Sequence, residues 1–387
     1  MESFKQKDKE YIAGTYGRFD LELVSGKGAE LYDINGKKYI DLGSGIAVNI
    51  FGAADDEWAK AVANQAGKLQ HTSNLYYSEP CVSLAEMLLE KSGMKKVFFG
   101  NSGAEANECA IKTARKYYSD NHDGKEGKII TLINSFHGRT IATLKATGQD
   151  VFHKHFGPFP EGFLYTPAND CEALEKILGD DIAAVMFEPV QGEGGVNALD
   201  KAFVECIFKN AEKYGYLTIA DEVQTGNGRT GKYFAVEHFG VKPDIITTAK
   251  GLGGGLPIGA TLFGEKAADI LGAGDHGSTF GGNPVAAAGA CTIVSRVDQK
   301  LLSDVTAKSD YIRSKLQNQK GIKSVSGLGL MLGIETERSA KEIATECIEK
   351  GALVLTAKTK VRLLPPLNIT YEQLDYALEI LMEVAAK

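Results

Sequence analysis

The stretch DIITTAKGLGGGLPIG, residues 244–259, joins an apolar run to a glycine-rich segment through a single lysine, Lys250. The run before Lys250 is continuous in Ile, Thr and Ala, which is typical of a strand that is covered on both faces. A charged amine at the end of such a strand has two interpretations. The strand reaches the surface and turns there, or the amine is held in a pocket where it does chemistry. Taken alone, the stretch favours the surface turn.

Further strand-like runs alternate with helical patterns through the middle of the chain. These runs are rich in Val, Ile, Leu, Thr or Phe and lie at 95–100, 128–134, 182–189 and 216–223. The segment 200–215 is helix-like and ends at Gly215, a plausible C-cap. Strands that alternate with helices predict βαβ units and a mainly parallel sheet, and hence an α/β fold.

The two ends of the chain have a different pattern. Residues 28–45 predict a hairpin with its turn at Asn35-Gly36. The C-terminal part has two long helical patterns and three short strand candidates, at 299–320, 372–386, 329–334, 352–355 and 361–364. We therefore predict a large central domain, residues 53–285, and a small α+β domain built from residues 1–52 and 286–387.

Composition excludes several classes of protein. The 387 residues carry a net charge of −7 with a pI of about 5.6, which argues against a nucleic-acid-binding protein. No run approaches the ~18 apolar residues of a membrane span, and the N-terminus has no apolar leader pattern. The six cysteines are scattered without a CxxC pair, as in a protein of a reducing cytoplasm, and we expect Cys109 and Cys206 to be core residues. We expect no metal site, and His153 and His155 are interpreted as solvated.

Two further segments place polar groups at the ends of predicted strands. In NSGAEANECAIK (101–112) a strand turns through Ser-Gly into a helix, which offers either an anion site for phosphate or an ordinary turn capped by Ser102. In IADEVQTG (219–226), Asp221 and Glu222 end a buried strand, where a carboxylate needs a cation or a donor. A pyridinium nitrogen, a metal, an acid/base pair and a helix cap all remain open. Adjacent strand residues face opposite sides, so the two carboxylates should not form one dyad.

A glycine pattern nearby imitates a dinucleotide-binding fingerprint. Gly226, Gly228 and Gly231 match G-x-G-x-x-G, but no suitable helix opens at the third glycine.

Three other features of the sequence together favour a different cofactor. A phosphate-type turn, Asp221 and Lys250 on one sheet edge suit pyridoxal phosphate, whose phosphate, ring nitrogen and aldehyde need such partners.

Ordered blocks over nearly the whole chain resemble the class III (subgroup II) pyridoxal-phosphate aminotransferases. They include NSGAEANE (101–108), NSFHGRT (134–140), FEPVQGEGG (187–195), DEVQTGNGRTG (221–231), HGSTFGGNP (276–284) and VRLLPPL (361–367). The resemblance implies fold type I, with a mostly parallel seven-stranded sheet in the large domain and a small domain from both termini. It also implies a homodimer with active sites at the subunit interface.

The resemblance also implies cofactor contacts at matching positions. Lys250 would hold the cofactor aldehyde and later move the proton, while Asp221 would pair with the pyridine nitrogen. The other cofactor contacts would be Ser102, Gly103, Ala104, Phe136, His137, Glu222, Val223, Gln224 and Thr279 of the partner subunit.

Substrate contacts follow from the same resemblance. Arg139 would receive the α-carboxylate of the amino donor, and Arg362 that of glutamate or 2-oxoglutarate. Glu193 would pair with Arg362 while the ω-amine donor is bound. Ser278 would touch the acyl end of the donor, and Tyr16 or Asn74 would line its tail. Surface salt bridges for the arginines and an ordinary loop carboxylate for Glu193 are the alternatives.

The expected reaction is transamination between N2-acetyl-L-ornithine and 2-oxoglutarate in arginine biosynthesis. Ornithine, N-succinylornithine, 4-aminobutyrate and lysine remain alternative donors, and a non-catalytic pyridoxal-phosphate-binding protein is the alternative class. The chain departs from the family at GAADDEW (52–58), where many members have G-H-x-H-P. There we expect a helix that starts at Asp55 and Asp56, with Trp58 packed nearby.

Overall fold

A computed structural model describes residues 4–387. Its helices are α1 Phe4–Tyr11, α2 Ser44–Ala47, α3 Asp56–Lys68, α4 Glu79–Ser92, α5 Gly103–Asn121, α6 Ile141–Ala146, α7 Cys171–Ile177, α8 Lys201–Tyr214, α9 Pro284–Arg296, α10 Gln299–Leu316, α11 Ala340–Lys350 and α12 Tyr371–Ala385. Short 3-10 segments lie at Asp150–Phe152, Ala235–His238 and Lys250–Leu252. The strands are β1 Leu23–Lys27, β2 Glu30–Asp33, β3 Lys38–Asp41, β4 Lys96–Gly100, β5 Lys128–Leu132, β6 Phe163–Thr166, β7 Ile182–Phe187, β8 Val190–Gln191, β9 Asn197–Ala198, β10 Leu217–Asp221, β11 Ile245–Thr248, β12 Gly259–Phe263, β13 Ile322–Leu328, β14 Met331–Thr336, β15 Ala352–Leu353, β16 Leu355–Ala357 and β17 Lys360–Leu363.

A seven-stranded sheet forms the centre of the molecule, in the order β4-β12-β11-β10-β7-β5-β6. Six of these strands run in one direction, and β12 runs opposite to them. Strands β7, β10, β11 and β12 are buried along their whole length, which explains why their sequences are continuously apolar rather than alternating. The predicted α/β fold with a mostly parallel sheet is confirmed.

Two smaller sheets bring the ends of the chain together. The sheet β1-β2-β3-β15 pairs the N-terminal strands with β15, since Ile40 lies opposite Ala352 in a parallel register. The sheet β13-β14-β17-β16 is entirely C-terminal. Residues from both termini therefore build one α+β unit, as predicted, while the domain bounds at residues 52 and 285 stay a prediction.

Local predictions in the terminal parts have mixed outcomes. The hairpin turn at Asn35-Gly36 is confirmed: the Asp33 carboxylate accepts the N–H groups of Asn35 and Lys37, and Gly36 has a φ of +81°. The predicted strand 329–334 starts too early, because Gly329 and Leu330 form the tight turn between β13 and β14. The predicted helix 299–320 ends at Leu316.

The cysteines differ from expectation at one position. Cys109 is fully buried, as predicted. Cys206 is also buried, but it forms a disulfide with Cys171 that joins α7 to α8. The spacing gave no signal for this pair, because 35 positions separate the two residues. Within residues 4–387, no helix combines the length and the apolarity that a membrane span requires.

The divergent segment 52–58 starts α3 and anchors it to the sheet edge. Asp55 Oδ1 accepts the N–H of Trp58 at 3.0 Å, and the Arg296 guanidinium donates to both Asp55 oxygens at 2.8 and 3.1 Å. The Trp58 indole N–H donates to the Gly253 carbonyl at 3.0 Å. The predicted helix start is confirmed, and Trp58 links it to the glycine segment that follows Lys250.

Replacing Asp55 with alanine should lower the free energy of unfolding by about 2 kcal/mol, because a helix cap and a charged hydrogen-bonded pair are lost together. The matched control is Asp56→Ala, since Asp56 is exposed and pairs with the exposed Lys27. Its effect should stay below about 0.5 kcal/mol. Chemical denaturation measures both variants, and equal losses would contradict the capping role of Asp55.

Candidate active site

A cavity of about 430 Å³ opens at the carboxyl edge of the central sheet. Its walls come from the segments that follow β4, β5, β7, β10 and β11, where ligands bind in open α/β sheets. The cavity brings together eleven residues that the sequence predicted for the site: Ser102, Gly103, Ala104, Phe136, His137, Arg139, Glu193, Asp221, Val223, Gln224 and Lys250.

The Asp221 carboxylate is buried at the end of β10 and is held by several donors. Asn107 Nδ2 and His137 Nδ1 both lie 2.7 Å from its Oδ2, and the Val223 N–H donates to its Oδ1 at 3.1 Å. Asn107 is itself oriented by the Thr247 hydroxyl, which donates to its Oδ1 at 2.6 Å. Since Thr247 lies opposite Asp221 in the sheet, β11 helps to fix the carboxylate on β10.

Glu222, the next residue, faces away from the cavity. Its carboxylate accepts the N–H of Val236 at 2.8 Å and the hydroxyl of Thr225. Burial raises the pKa of the Glu222 carboxyl to about 7. Asp221 and Glu222 therefore form no dyad, as predicted. The structure does not bring Glu222 to the cavity, because successive strand residues point to opposite faces.

Lys250 follows β11 and projects its amine into the cavity. Its backbone has a φ of +43°, a left-handed conformation that is uncommon for a residue with a side chain. Burial lowers the pKa of the Lys250 amine from its ordinary value, although the carboxylates of Glu193 and Asp221 oppose this effect. An amine with a lowered pKa has more of the neutral form that can attack a carbonyl carbon.

The turn after β4 closes another side of the cavity. The Ser102 hydroxyl oxygen accepts the N–H of Glu105 at 3.1 Å, so Ser102 caps the 19-residue helix α5. A Cβ on Gly103 would lie 2.6 Å from Val223 Cγ1, so only glycine lets this helix start so close to Val223. The capping interpretation of Ser102 is confirmed, while its predicted contact with a phosphate stays a prediction.

Two arginines beside the cavity differ in their burial and in their binding partners. Arg362 on β17 is buried, and its Nη1 donates to Glu193 Oε1 at 2.6 Å and to Gln224 Oε1 at 3.4 Å. Burial would raise the pKa of the Glu193 carboxyl, but Arg362 outweighs it, so that pKa lies below its ordinary value. Arg139 is exposed and lies over the rings of Phe136 and Phe152, at 5.3 and 4.3 Å.

Sequence reasoning missed three polar residues of the cavity, Asn101, Asn107 and Glu188. Glu188 accepts the N–H groups of Phe136 and Gly192 at 2.9 and 3.2 Å, and burial raises the pKa of its carboxyl to about 7. Glu188 directly follows the buried strand β7, the same signal that pointed to Asp221. Asn107 lies within α5 and had no comparable signal in the sequence.

Comparison with known proteins assigns this arrangement to a family. The family model for class-III aminotransferases matches residues 11–385. The chain belongs to the class-III aminotransferases. The acetylornithine aminotransferase of Haemophilus ducreyi is 50% identical over 100% of this chain and 99% of its own. That of Methanocaldococcus jannaschii is 46% identical over 99% and 98%.

Solved structures of class-III aminotransferases agree with this assignment. The N-acetylornithine aminotransferase of Stenotrophomonas maltophilia has a TM-score of 0.85 at 36% identity, covering 98% of each chain. An ornithine aminotransferase of Toxoplasma gondii has a TM-score of 0.94 at 31% identity, covering 99% of this chain and 94% of that one. The protein is thus a transaminase of the pyridoxal-phosphate-dependent class.

The remaining predicted residues of this class-III aminotransferase lie outside the cavity lining. Ser278 Oγ accepts from Asn101 Nδ2 at 3.0 Å and so lies next to a cavity residue. Thr279 is exposed and lies in a separate surface depression with Asn74. Asn74 donates to the carbonyls of Ser278 and Gly281, both at 2.9 Å, while Tyr16 is exposed. Their predicted contacts with cofactor or donor stay predictions.

The lowered pKa of Lys250 predicts a pH-dependent stability change in the cofactor-free protein. Because the folded state disfavours the charged amine, Lys250→Met should raise the melting temperature at neutral pH. The cost of the charge is fully present below the folded pKa and is lost as the pH rises through the ordinary value of 10.5. The gain should therefore shrink toward pH 10.5. Lys323→Met, at an exposed lysine, is the control and should show no such trend.

Proposed function

We propose that this chain binds pyridoxal phosphate and transfers the δ-amino group of N2-acetyl-L-ornithine to 2-oxoglutarate. The products are N-acetyl-L-glutamate 5-semialdehyde and L-glutamate, a step of arginine biosynthesis. The observation that carries the proposal is the shared cavity of Lys250 and Asp221, an amine with lowered pKa and a buried carboxylate at adjacent strand ends. The donor is proposed because relatives at 46–50% identity are acetylornithine aminotransferases.

The residues of the cavity fit the cofactor. Asp221 still has acceptor capacity beyond its three donors, as a protonated ring nitrogen requires. Val223 and Phe136 offer apolar surface for the two faces of a ring, and Ser102–Ala104 offer a helix N-terminus for the phosphate, joined by Thr279 of the partner subunit. When bound, pyridoxal phosphate supplies an aldehyde that condenses with amines and a ring that accepts electrons from the substrate carbon.

The chain's own residues then orient the reactants and move protons. Lys250, whose amine pKa is lowered by burial, takes a proton from the substrate carbon and delivers it to the cofactor. Asp221 pairs with the ring nitrogen, and His137 and Asn107 hold its carboxylate in position for this contact. We expect Gln224, which also contacts Arg362, to reach the ring hydroxyl.

Arg362 and Arg139 bind the carboxylates of different substrates, because Arg362 is paired with Glu193 and Arg139 has no carboxylate partner within residues 4–387. With the amino donor bound, Glu193 neutralises Arg362, so no substrate carboxylate is needed there. With 2-oxoglutarate bound, its α-carboxylate replaces Glu193 on the planar fork of Arg362. Arg139 receives the α-carboxylate of the donor, and we expect Ser278, which accepts a hydrogen bond from the cavity residue Asn101, to touch the donor's acyl end.

Ornithine is the second candidate donor. The observation in its favour is the TM-score of 0.94 with an ornithine aminotransferase, which exceeds the 0.85 with an N-acetylornithine aminotransferase. Sequence identity points the other way, with 50% to an acetylornithine aminotransferase against 31% to that ornithine enzyme. We weigh identity more heavily, because the choice of donor depends on side chains rather than on the path of the backbone.

The proposal includes a homodimer in the cytoplasm. Large apolar side chains are exposed in two neighbouring segments, at Leu75, Tyr76, Tyr77 and Phe280. Asn74 ties these segments together, so they form one surface suited to a second copy of this chain. Four cysteines without a disulfide favour a reducing compartment, against which the Cys171–Cys206 bond is the opposing observation.

Steady-state kinetics on a panel of amino donors with 2-oxoglutarate tests the function. We expect kcat/KM for N2-acetyl-L-ornithine to exceed that for ornithine, 4-aminobutyrate and lysine by about tenfold or more, since a site shaped for the acyl group leaves polar groups unpaired with other donors. Lys250→Ala is the control for turnover at this site and should be inactive. A higher kcat/KM for ornithine would reject the proposed donor while leaving the reaction class intact.

A further inference from the structure

The Arg139 guanidinium has no carboxylate partner. Among residues 4–387 it takes part in no ion pair or hydrogen bond with another side chain or carbonyl, and it is exposed at the cavity. Its defined contacts are with two aromatic rings, Phe152 at 4.3 Å and Phe136 at 5.3 Å. Arg362, by contrast, is paired with Glu193.

We propose that Phe152 is a positioning residue for carboxylate recognition: its ring holds the Arg139 guanidinium in place for the carboxylate of the amino donor. The proposal rests on the proposed function, in which Arg139 binds that carboxylate. Phe152 itself lies outside the cavity lining, so it acts through Arg139 and not on the substrate.

The Phe152 ring is fixed from two sides. It meets the Phe136 ring edge to face, with centroids 5.9 Å apart and planes at 82°. Its backbone N–H donates to the Gln149 carbonyl at 3.0 Å, and Gln149 Nε2 donates to the Ser135 carbonyl at 3.0 Å. The 3-10 segment Asp150–Phe152 is thereby tied to the loop that carries both Phe136 and Arg139.

An aromatic ring can order the Arg139 guanidinium without competing with the substrate carboxylate, whereas a carboxylate would compete with it. An exposed arginine samples many rotamers, and ordering it on binding costs free energy. A ring face attracts the guanidinium and reduces that cost while leaving all five N–H donors free. A carboxylate would order Arg139 equally well but would compete with the carboxylate of the substrate. Glu193 has that competing role at Arg362, where occupancy must alternate between two partners.

The positioning role predicts that removing the Phe152 ring slows the reaction only when the donor has an α-carboxylate. Phe152→Leu keeps an apolar side chain but removes the ring face, and Phe152→Tyr keeps the ring. The test compares N2-acetyl-L-ornithine with N-acetyl-1,4-diaminobutane, which is the same donor without its α-carboxylate. Only the amino-donor half-reaction is followed. The enzyme carries bound pyridoxal phosphate, 2-oxoglutarate is left out, and the change in cofactor absorbance is measured. Phe156→Leu is the matched control, because Phe156 is exposed in the same stretch and has no ring contact with Arg139.

We expect Phe152→Leu to lower the second-order rate constant for N2-acetyl-L-ornithine about three- to tenfold, as the loss of one cation–π contact implies. The rate constant for N-acetyl-1,4-diaminobutane should not change, and Phe152→Tyr should stay within about twofold of wild type for both donors. Binding gives a second readout without turnover. The Kd of N-acetyl-L-norvaline, the donor analogue without the δ-amine, should rise by the same factor in Phe152→Leu, by calorimetry.

Equal losses for both donors, or no loss with either, would overturn the inference. If Phe152→Leu fails to fold, Phe152→Met removes the ring in the same way and is judged by the same comparison. Failure of the proposed function has a different signature, since wild-type enzyme would then not use N2-acetyl-L-ornithine. In that case the comparison is made with the carboxylated donor that wild type prefers and its decarboxylated counterpart, with the same expected contrast.

Discussion

The hydrogen bonds that hold the buried Asp221 carboxylate organise the whole site. A carboxylate at the end of a fully buried strand is unfavourable unless donors surround it. Asn107 from α5 and His137 from the loop after β5 supply those donors, both at 2.7 Å. Because Thr247 on β11 orients Asn107, the strand that carries Lys250 is part of the same network. One constraint thus fixes the positions of several segments around the cavity.

Gly253 and Gly254 let the chain make a tight turn after Lys250. A Cβ on Gly253 would lie 2.0 Å from the Leu256 carbonyl oxygen of the same turn. Gly254 has a φ of +57°, where side chains are strained, and Trp58 donates to the Gly253 carbonyl. The turn is therefore compact and packs against α3. This tight path, together with the left-handed conformation of Lys250, leaves Lys250 at the cavity that Asp221 also lines.

Sequence patterns predicted the buried parallel strands well, because continuous apolar runs have few alternatives in a doubly covered sheet. Neither β6 nor β12 was predicted from the hydrophobic pattern of the sequence. β12 follows the glycine turn and runs antiparallel to β11. At the site, residues at strand ends such as Asp221 were found directly, whereas the roles of Arg139 and Arg362 came from the family resemblance. Asn107 and Phe152 could not be predicted, because contacts between distant segments give them their positions. The Cys171–Cys206 bond was missed for the same reason.

The central claim is that Lys250 is the amine that meets the cofactor aldehyde, opposite Asp221. Borohydride reduction of the loaded protein, followed by proteolysis and mass spectrometry, tests it most directly. We expect the mass of the reduced cofactor on the peptide that contains Lys250, and on no other lysine peptide at comparable yield. The same treatment of Asp221→Asn should still label Lys250, because in the proposed arrangement Asp221 pairs with the ring nitrogen and not with the aldehyde. Stoichiometric labelling of a different lysine, with Lys250 unmodified, would contradict the account.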